Sequence, residues 1–310
     1  MSVRVRPLFI LCASFIVAIG FLAKSANAAT SLGFAVSPPA FDLAANPGQT
    51  VASSVKLINL TDQPLSLTVD RNNFVARGEE GQIDLTTQDN LYSLAPWFIV
   101  TTGDIVVPAK GTTDVSFSIA VPLNAEPGGR YGSLVFHTNP GVLPSGQSGA
   151  AVKQQLATLI FLRINGPAYE KLSVASFSSD KTFYQYGPIV FSTRIADLGN
   201  VHEKPTGIIT VKNMIGGTAA TISIVPENVI PTAIRKIDTP WSKHLLFGRY
   251  TATIVLKNGA TQTLTASTSF TVIPYKLLGI ILVVLIALYI IIWKGRKRLK
   301  RAFKALFGSG

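Results

Sequence analysis

The sequence predicts an all-β body of two tandem β-sandwiches followed by one transmembrane α-helix. Three observations carry this. Apolar and polar residues alternate with a period of two through most of 34–272, no amphipathic helix of comparable length interrupts them, and Leu277–Trp293 runs 17 residues without a charge. A period of two is that of a half-buried strand, and an uncharged run of that length is that of a membrane span.

The N-terminus carries Arg4 and Arg6, an apolar stretch from Leu8 to Leu22, and an A-x-A site that places cleavage between Ala28 and Ala29. Residues 1–28 therefore read as a secretory signal peptide, with an uncleaved signal anchor as the alternative.

Residues 29–167 form the first predicted sandwich. Val51, Val55 and Leu57 alternate with polar residues, and after Thr61-Asp62-Gln63-Pro64 so do Leu65, Leu67 and Val69. Val115, Phe117, Ile119 and Val121 repeat the pattern. Tyr131–Thr138 and Leu156–Ile164 are apolar on both faces, as central strands are. Loops are expected at Pro47-Gly48, 78–81, 108–111 and Pro127-Gly128-Gly129, and one helical turn within 88–96. Residues 141–150 (GVLPSGQSGA) read as an exposed flexible hairpin loop.

A boundary is expected near Gly166-Pro167, and residues 168–273 form the second sandwich. Ile189, Phe191, Thr193 and Ile195 alternate, two further runs flank a Gly216-Gly217 turn, and Arg249–Leu256 leads through Asn258-Gly259 into Thr261–Val272. Asn-Gly between alternating runs is a strong hairpin signal, because a type I′ turn needs positive φ at both positions. About seven short strands in about 105 residues is the size of one immunoglobulin-like domain, and the first sandwich is that architecture with insertions.

The span is placed at residues 275–293. At 1.5 Å per residue Leu277–Trp293 measures about 26 Å, close to the roughly 30 Å hydrocarbon core, and Tyr275, Lys276 and Trp293 extend it into the interfaces. Residues 294–310 follow, with the basic cluster Lys294, Arg296, Lys297, Arg298, Lys300, Arg301 and Lys304. The positive-inside rule puts this cluster in the cytoplasm and the sandwiches outside, a single-pass type I arrangement. The tail reads either as a short amphipathic helix on the anionic inner leaflet or as a disordered stop-transfer segment.

Composition narrows the function classes. The net charge of +12 resides in the ends, since Ala29–Tyr275 holds 17 basic and 16 acidic residues. Nucleic acid is thus not an expected partner. The single cysteine, Cys12, lies in the signal, so disulfides and thiol chemistry are not expected in the mature chain.

Several stretches resemble the WxL-interacting proteins of Gram-positive cell surfaces. They are SPPAFDLAANPGQTVASSVKLIN (37–59), Ala95-Pro96-Trp97-Phe98, and Pro127-Gly128-Gly129-Arg130-Tyr131-Gly132. In the second sandwich Gly199-Asn200-Val201-His202, Lys204-Pro205-Thr206-Gly207, Trp241 and Gly248-Arg249-Tyr250 look similar. The resemblance implies a non-catalytic surface protein whose first domain binds peptidoglycan and whose second binds other surface or host proteins. The second domain is short for that family.

No catalytic or metal motif stands out. His137, His202 and His244 lie in separate parts of the chain, no G-x-S-x-G elbow occurs, and Glu79-Glu80 reads as a solvated pair in a Gly-flanked turn. No cofactor is expected. Trp97, Phe98, Arg130 and Tyr131 are the candidate binding surface, although a Trp after a short turn and a Tyr opening a central strand also suit a core. Asn59-Leu60-Thr61 matches a glycosylation sequon. The expected partners are cell-wall polymer or a secreted or surface protein. The alternative function is a membrane-tethered extracytoplasmic assembly chaperone that works by strand donation. A membrane-anchored hydrolase ranks last.

Overall fold

The computed structural model describes residues 33–101, 103–138, 153–258 and 262–307. The signal residues, including Arg4, Arg6, Cys12, Ala28 and Ala29, the loop 141–150 and the tip of the Asn258-Gly259 turn lie outside the described residues.

The first sandwich packs two sheets. One has the order β1 (Phe34–Ser37), β3 (Thr50–Asn59), β8 (Thr112–Ala120) and β6 (Phe98–Val100). The other has the order β2 (Ala40–Ala45), β10 (Gln155–Ile164), β9 (Gly128–Thr138), β4 (Leu65–Arg77) and β5 (Gln82–Thr86), with β7 (Ile105–Val107) also against β4. Alternation faces Val55, Leu57, Phe117 and Ile119 of one sheet toward Leu134, Phe136, Ile160 and Leu162 of the other, all buried. At about 25 cal/mol per Å² of apolar area, this burial is the main stabilising term.

Two sequence features set the topology. Ser37-Pro38-Pro39 breaks the first strand, so β1 pairs antiparallel with β3 while β2 joins the other sheet parallel to β10. The turn after β3 also carries the chain between sheets, so β3 and β4 are neighbours in sequence but not in a sheet. Asn59 fixes that crossing: its Nδ2 donates to the carbonyls of Gln63, Val107 and Pro108, and its Oδ1 accepts from Thr61 N. At 1% exposure it is a structural asparagine rather than a glycan acceptor.

Two local expectations are corrected. Gly128-Gly129 opens β9 instead of forming a loop, because Gly129 N finds a partner in Asn200 O at 2.7 Å. The helical turn is a 3₁₀ turn at Ala95–Trp97, displaced by Asn73 Oδ1, which accepts from Leu94 N and Ala95 N.

The second sandwich packs β11 (Leu172–Ser179), β13 (Ile189–Asp197) and β16 (Ile234–Trp241) against β12 (Phe183–Tyr184), β18 (Gln262–Val272), β17 (Gly248–Asn258), β14 (Thr206–Asn213) and β15 (Thr218–Ser223). Phe191, Trp241, Tyr250 and Phe270 form its aromatic centre, with ring centroids 5.6–6.5 Å apart. On the outer face Thr251 and Thr253 pair with Ser269 and Ser267.

Helix α1 (Tyr275–Phe307) follows β18 after two residues. Its stretch Tyr275–Arg296 has a mean hydropathy of 2.8 and buries nothing against the sandwiches, so it is long and apolar enough to cross a membrane. The basic residues Lys294–Lys304 continue the same helix, so span and tail are one element.

Candidate functional site

The candidate surface of Trp97, Phe98, Arg130 and Tyr131 is not exposed as a platform. Phe98 is 1% exposed, packed edge-on to Phe117, and Tyr131 is 2% exposed in an aromatic cluster. Arg130 is buried too: its guanidinium lies 5.6 Å from the Trp97 ring centroid and donates to Gly129 O at 2.8 Å. Burial lowers its pKa, and the ring face and carbonyl compensate the buried cation. Trp97, half-buried, receives Arg130 instead of presenting its face to a ligand.

Tyr131 and Phe161 of the first sandwich pack on His202 of the second at ring centroid distances of 5.6 and 5.3 Å, and Phe74 packs on both of these rings. His202 Nε2 lies 3.1 Å from Asp42 Oδ1 on β2. Burial lowers the His202 pKa, and Asp42 opposes that shift. Next to the ring cluster, Asn200 binds β9 from both ends: its carbonyl accepts from Gly129 N, and its Nδ2 donates to Pro127 O at 3.2 Å. A Cβ on Gly128, whose φ is +136°, would lie 2.8 Å from Asn200 O, so only glycine fits this approach.

On the other side of the joint the β4–β5 turn reaches the second sandwich. Glu79 accepts from Arg194 Nε at 2.6 Å and from Arg194 Nη2, and Glu79 O accepts from Lys236 N at 2.7 Å. The arginine fork holds the Glu79 carboxyl below its usual range. Glu79 is therefore an interdomain clamp and not a solvated turn acid. No local signal marks it, because its partner lies 115 residues away.

Two open clefts flank the clamp. One of about 370 Å³ is lined by Phe74, Tyr92, Tyr131 and Ile230, and one of about 290 Å³ by Phe161, Lys204, Glu227 and Arg235. Below them Asp197 is 1% exposed; Oδ1 accepts from Gly199 N at 2.8 Å, while Oδ2 has no partner among the described residues. Burial pushes its carboxyl up to about 7 and also raises Glu203. Among the described residues no group of three or more His, Cys, Asp and Glu is placed to hold a metal ion. His137 instead contacts Thr68 at 2.6 Å, and His244 contacts Gly187 O at 3.1 Å.

A strand with an incomplete ladder lies on the same sheet. β10 pairs with β9 from Gln155 to Ile164 but with β2 only from Leu159. Leu159 N donates to Pro39 O at 3.0 Å. Two residues earlier, Ala157 turns its N–H and C=O to the same side, where Ser37 has already departed into β1 and Pro39 has no N–H to give. Gln155 and Ala157 thus have no ladder on that side among the described strands, although β1 runs alongside: Gly33 N donates to Gln154 Oε1 and Thr158 Oγ1 to Pro38 O, each at 2.7 Å.

No family model and no curated protein matches the chain. Among solved structures, a chaperone–tip adhesin complex of CFA/I fimbriae is 14% identical, covering 76% of this chain and 99% of that one, with a TM-score of 0.41. The class 5 fimbriae chaperone CfaA is 13% identical, covering 76% and 98%, with a TM-score of 0.40. The chaperone–tip subunit pre-assembly complex CsuC–CsuE of Acinetobacter baumannii is 10% identical, covering 66% and 90%, with a TM-score of 0.36. At such scores the fold rests on the sheets themselves: two immunoglobulin-like sandwiches and one C-terminal helix.

Proposed function

We propose that the protein is a membrane-anchored, non-catalytic assembly protein of the cell envelope that takes a secreted or surface protein by strand addition at the first residues of β10, where β1 lies alongside without a ladder. The observation that carries this reading is the early end of the β2–β10 ladder at Leu159. A strand with a full ladder on one side only offers a partner strand main-chain hydrogen bonds on the other, once the neighbouring β1 gives way. The joint around His202 and Glu79 supports the same reading, because it fixes the second sandwich against the sheet that carries the edge. The 22-residue apolar stretch of α1 supplies the anchor, and the basic residues after Trp293 favour a cytoplasmic C-terminus.

The test is site-specific photocrosslinking from position 155 in intact cells. The reading expects capture of one or a few exported protein chains, and loss of that capture in Ala157→Pro, which removes an edge N–H while thermal unfolding stays unchanged. Capture that survives Ala157→Pro would refute strand addition. Recovery of cell-wall polymer alone would instead favour the partner implied by the WxL-interacting resemblance.

A further inference from the structure

The end of the second sandwich from which α1 departs has an apolar rim. Register defines what lies there: Val272, the last residue of β18, pairs with Gly248, the first of β17, and Asn213, the last of β14, pairs with Tyr250. At this level the β14–β15 turn presents Met214 and Ile215, 69% and 84% exposed, and the β16–β17 loop presents Leu245 and Phe247, 86% and 62% exposed. Tyr186, 62% exposed, belongs to the β12–β13 loop, where Gly187 N donates to His244 O at 3.2 Å. The turn and the base of β17 are in contact, since a Cβ on Gly248 would lie 3.3 Å from Met214 Sδ. Three separate connections thus bring large apolar side chains to one end.

Charge on that end has one dominant sign. Lys181, Lys212, Lys243, Arg249 and Lys276 are exposed there. The carboxylate among them, Asp180, accepts from Tyr184 Oη and Val190 N. Apolar tips surrounded by cations have the composition of a surface that enters the lipid interface.

The connection to the helix fixes the distance. Ile273 and Pro274 alone separate β18 from α1; Ile273 N donates to Tyr184 O, and Leu278 N to Pro274 O. Three Cα steps from Val272 to Tyr275 span at most about 11 Å. A helix that crosses a bilayer from Tyr275 therefore holds this rim against the headgroup layer, which is continuous with the membrane the helix already occupies.

We propose that this rim is a membrane-docking surface: Met214, Ile215, Leu245, Phe247 and Tyr186 enter the outer interface, and Lys243, Arg249 and Lys276 meet anionic phospholipid headgroups. The inference rests on the reading of α1 as a membrane span. Docking removes the swing about the two-residue connection and sets the height at which β10 stands above the bilayer.

The test uses the full chain carrying Cys12→Ser, with a single environment-sensitive fluorophore placed through Ile215→Cys, Leu245→Cys, Leu285→Cys or Leu123→Cys. Leu123 is an exposed residue of the first sandwich. Each variant is reconstituted in vesicles of phosphatidylcholine and phosphatidylglycerol in equal parts, with spin-labelled lipid as quencher. Docking predicts blue-shifted emission and headgroup-level quenching at positions 215 and 245, several-fold stronger than at 123, and weakened by Lys243→Glu with Arg249→Glu. Emission at 215 and 245 equal to that at 123 would overturn it. Position 285 separates the two readings: quenching there by a mid-bilayer label with silent 215 and 245 refutes docking alone, whereas a silent 285 refutes the span and docking together.

Discussion

Arg194, on β13 of the second sandwich, holds the Glu79 carboxylate of the first with two donors, and the Glu79 carbonyl binds Lys236 N beside it. Two sandwiches joined by a short connection would otherwise reorient freely. This clamp and the His202 ring cluster opposite are contacts that join them.

Removing the clamp uncouples the sandwiches. Glu79→Gln and Arg194→Ala each lower the calorimetric melting temperature by a few degrees and split a single transition into two, and the double variant is no worse than either alone. Acid does the same. The Glu79 pKa is lowered by the Arg194 hydrogen bonds, so its contribution is present above the ordinary carboxylate range and is lost as pH falls through the folded value.

Asp197 gives the opposite slope. Its folded pKa is raised to about 7 by burial, so its contribution is fully present below the unfolded value of 3.8 and is lost as pH rises through about 7. Asp197→Asn, which keeps an acceptor for Gly199 N, flattens this fall. At 1.36 kcal/mol per pH unit the difference between variant and parent approaches about 4 kcal/mol as an upper bound. Urea unfolding at pH 4 and pH 8 measures it. His202, whose pKa is lowered by burial, adds a rise with pH that Asp197→Asn leaves in place.

Gly128→Ala costs roughly 1–3 kcal/mol, because φ of +136° strains a Cβ that would also press on Asn200 O at 2.8 Å. Gly78→Ala, at φ +62° with open space around it, costs less. Chemical denaturation of the two variants side by side gives the comparison.

Phe98→Ala lowers stability by about 3–5 kcal/mol, since the ring is 1% exposed and packs on Phe117. A surface aromatic would lose binding instead and leave unfolding unchanged. Denaturation of the variant separates the two.

The sequence made the sandwiches legible wherever alternation was strict. In β13 every second residue from Ile189 to Asp197 is buried, as the pattern of Ile189, Phe191, Thr193 and Ile195 implies. The joint was illegible for a physical reason. Glu79 with Arg194, and Asp42 with His202, are 115 and 160 residues apart, and nothing local distinguishes a clamped acid from a solvated one. Aromatic residues were ambiguous in the same way: Trp97, Phe98 and Tyr131 are the residue types of a binding platform and equally those of a core. The incomplete ladder of β10 was not legible, because Pro38-Pro39 breaks one strand without saying which neighbour loses its pairing.

The central claim is that a partner strand pairs with β10 at Gln155 and Ala157. Amide hydrogen exchange across residues 153–158 of the full chain, with and without the protein captured from position 155, tests it most directly. The account predicts protection of the Ala157 amide only when the partner is bound; unchanged exchange there, with the partner demonstrably bound, would contradict it.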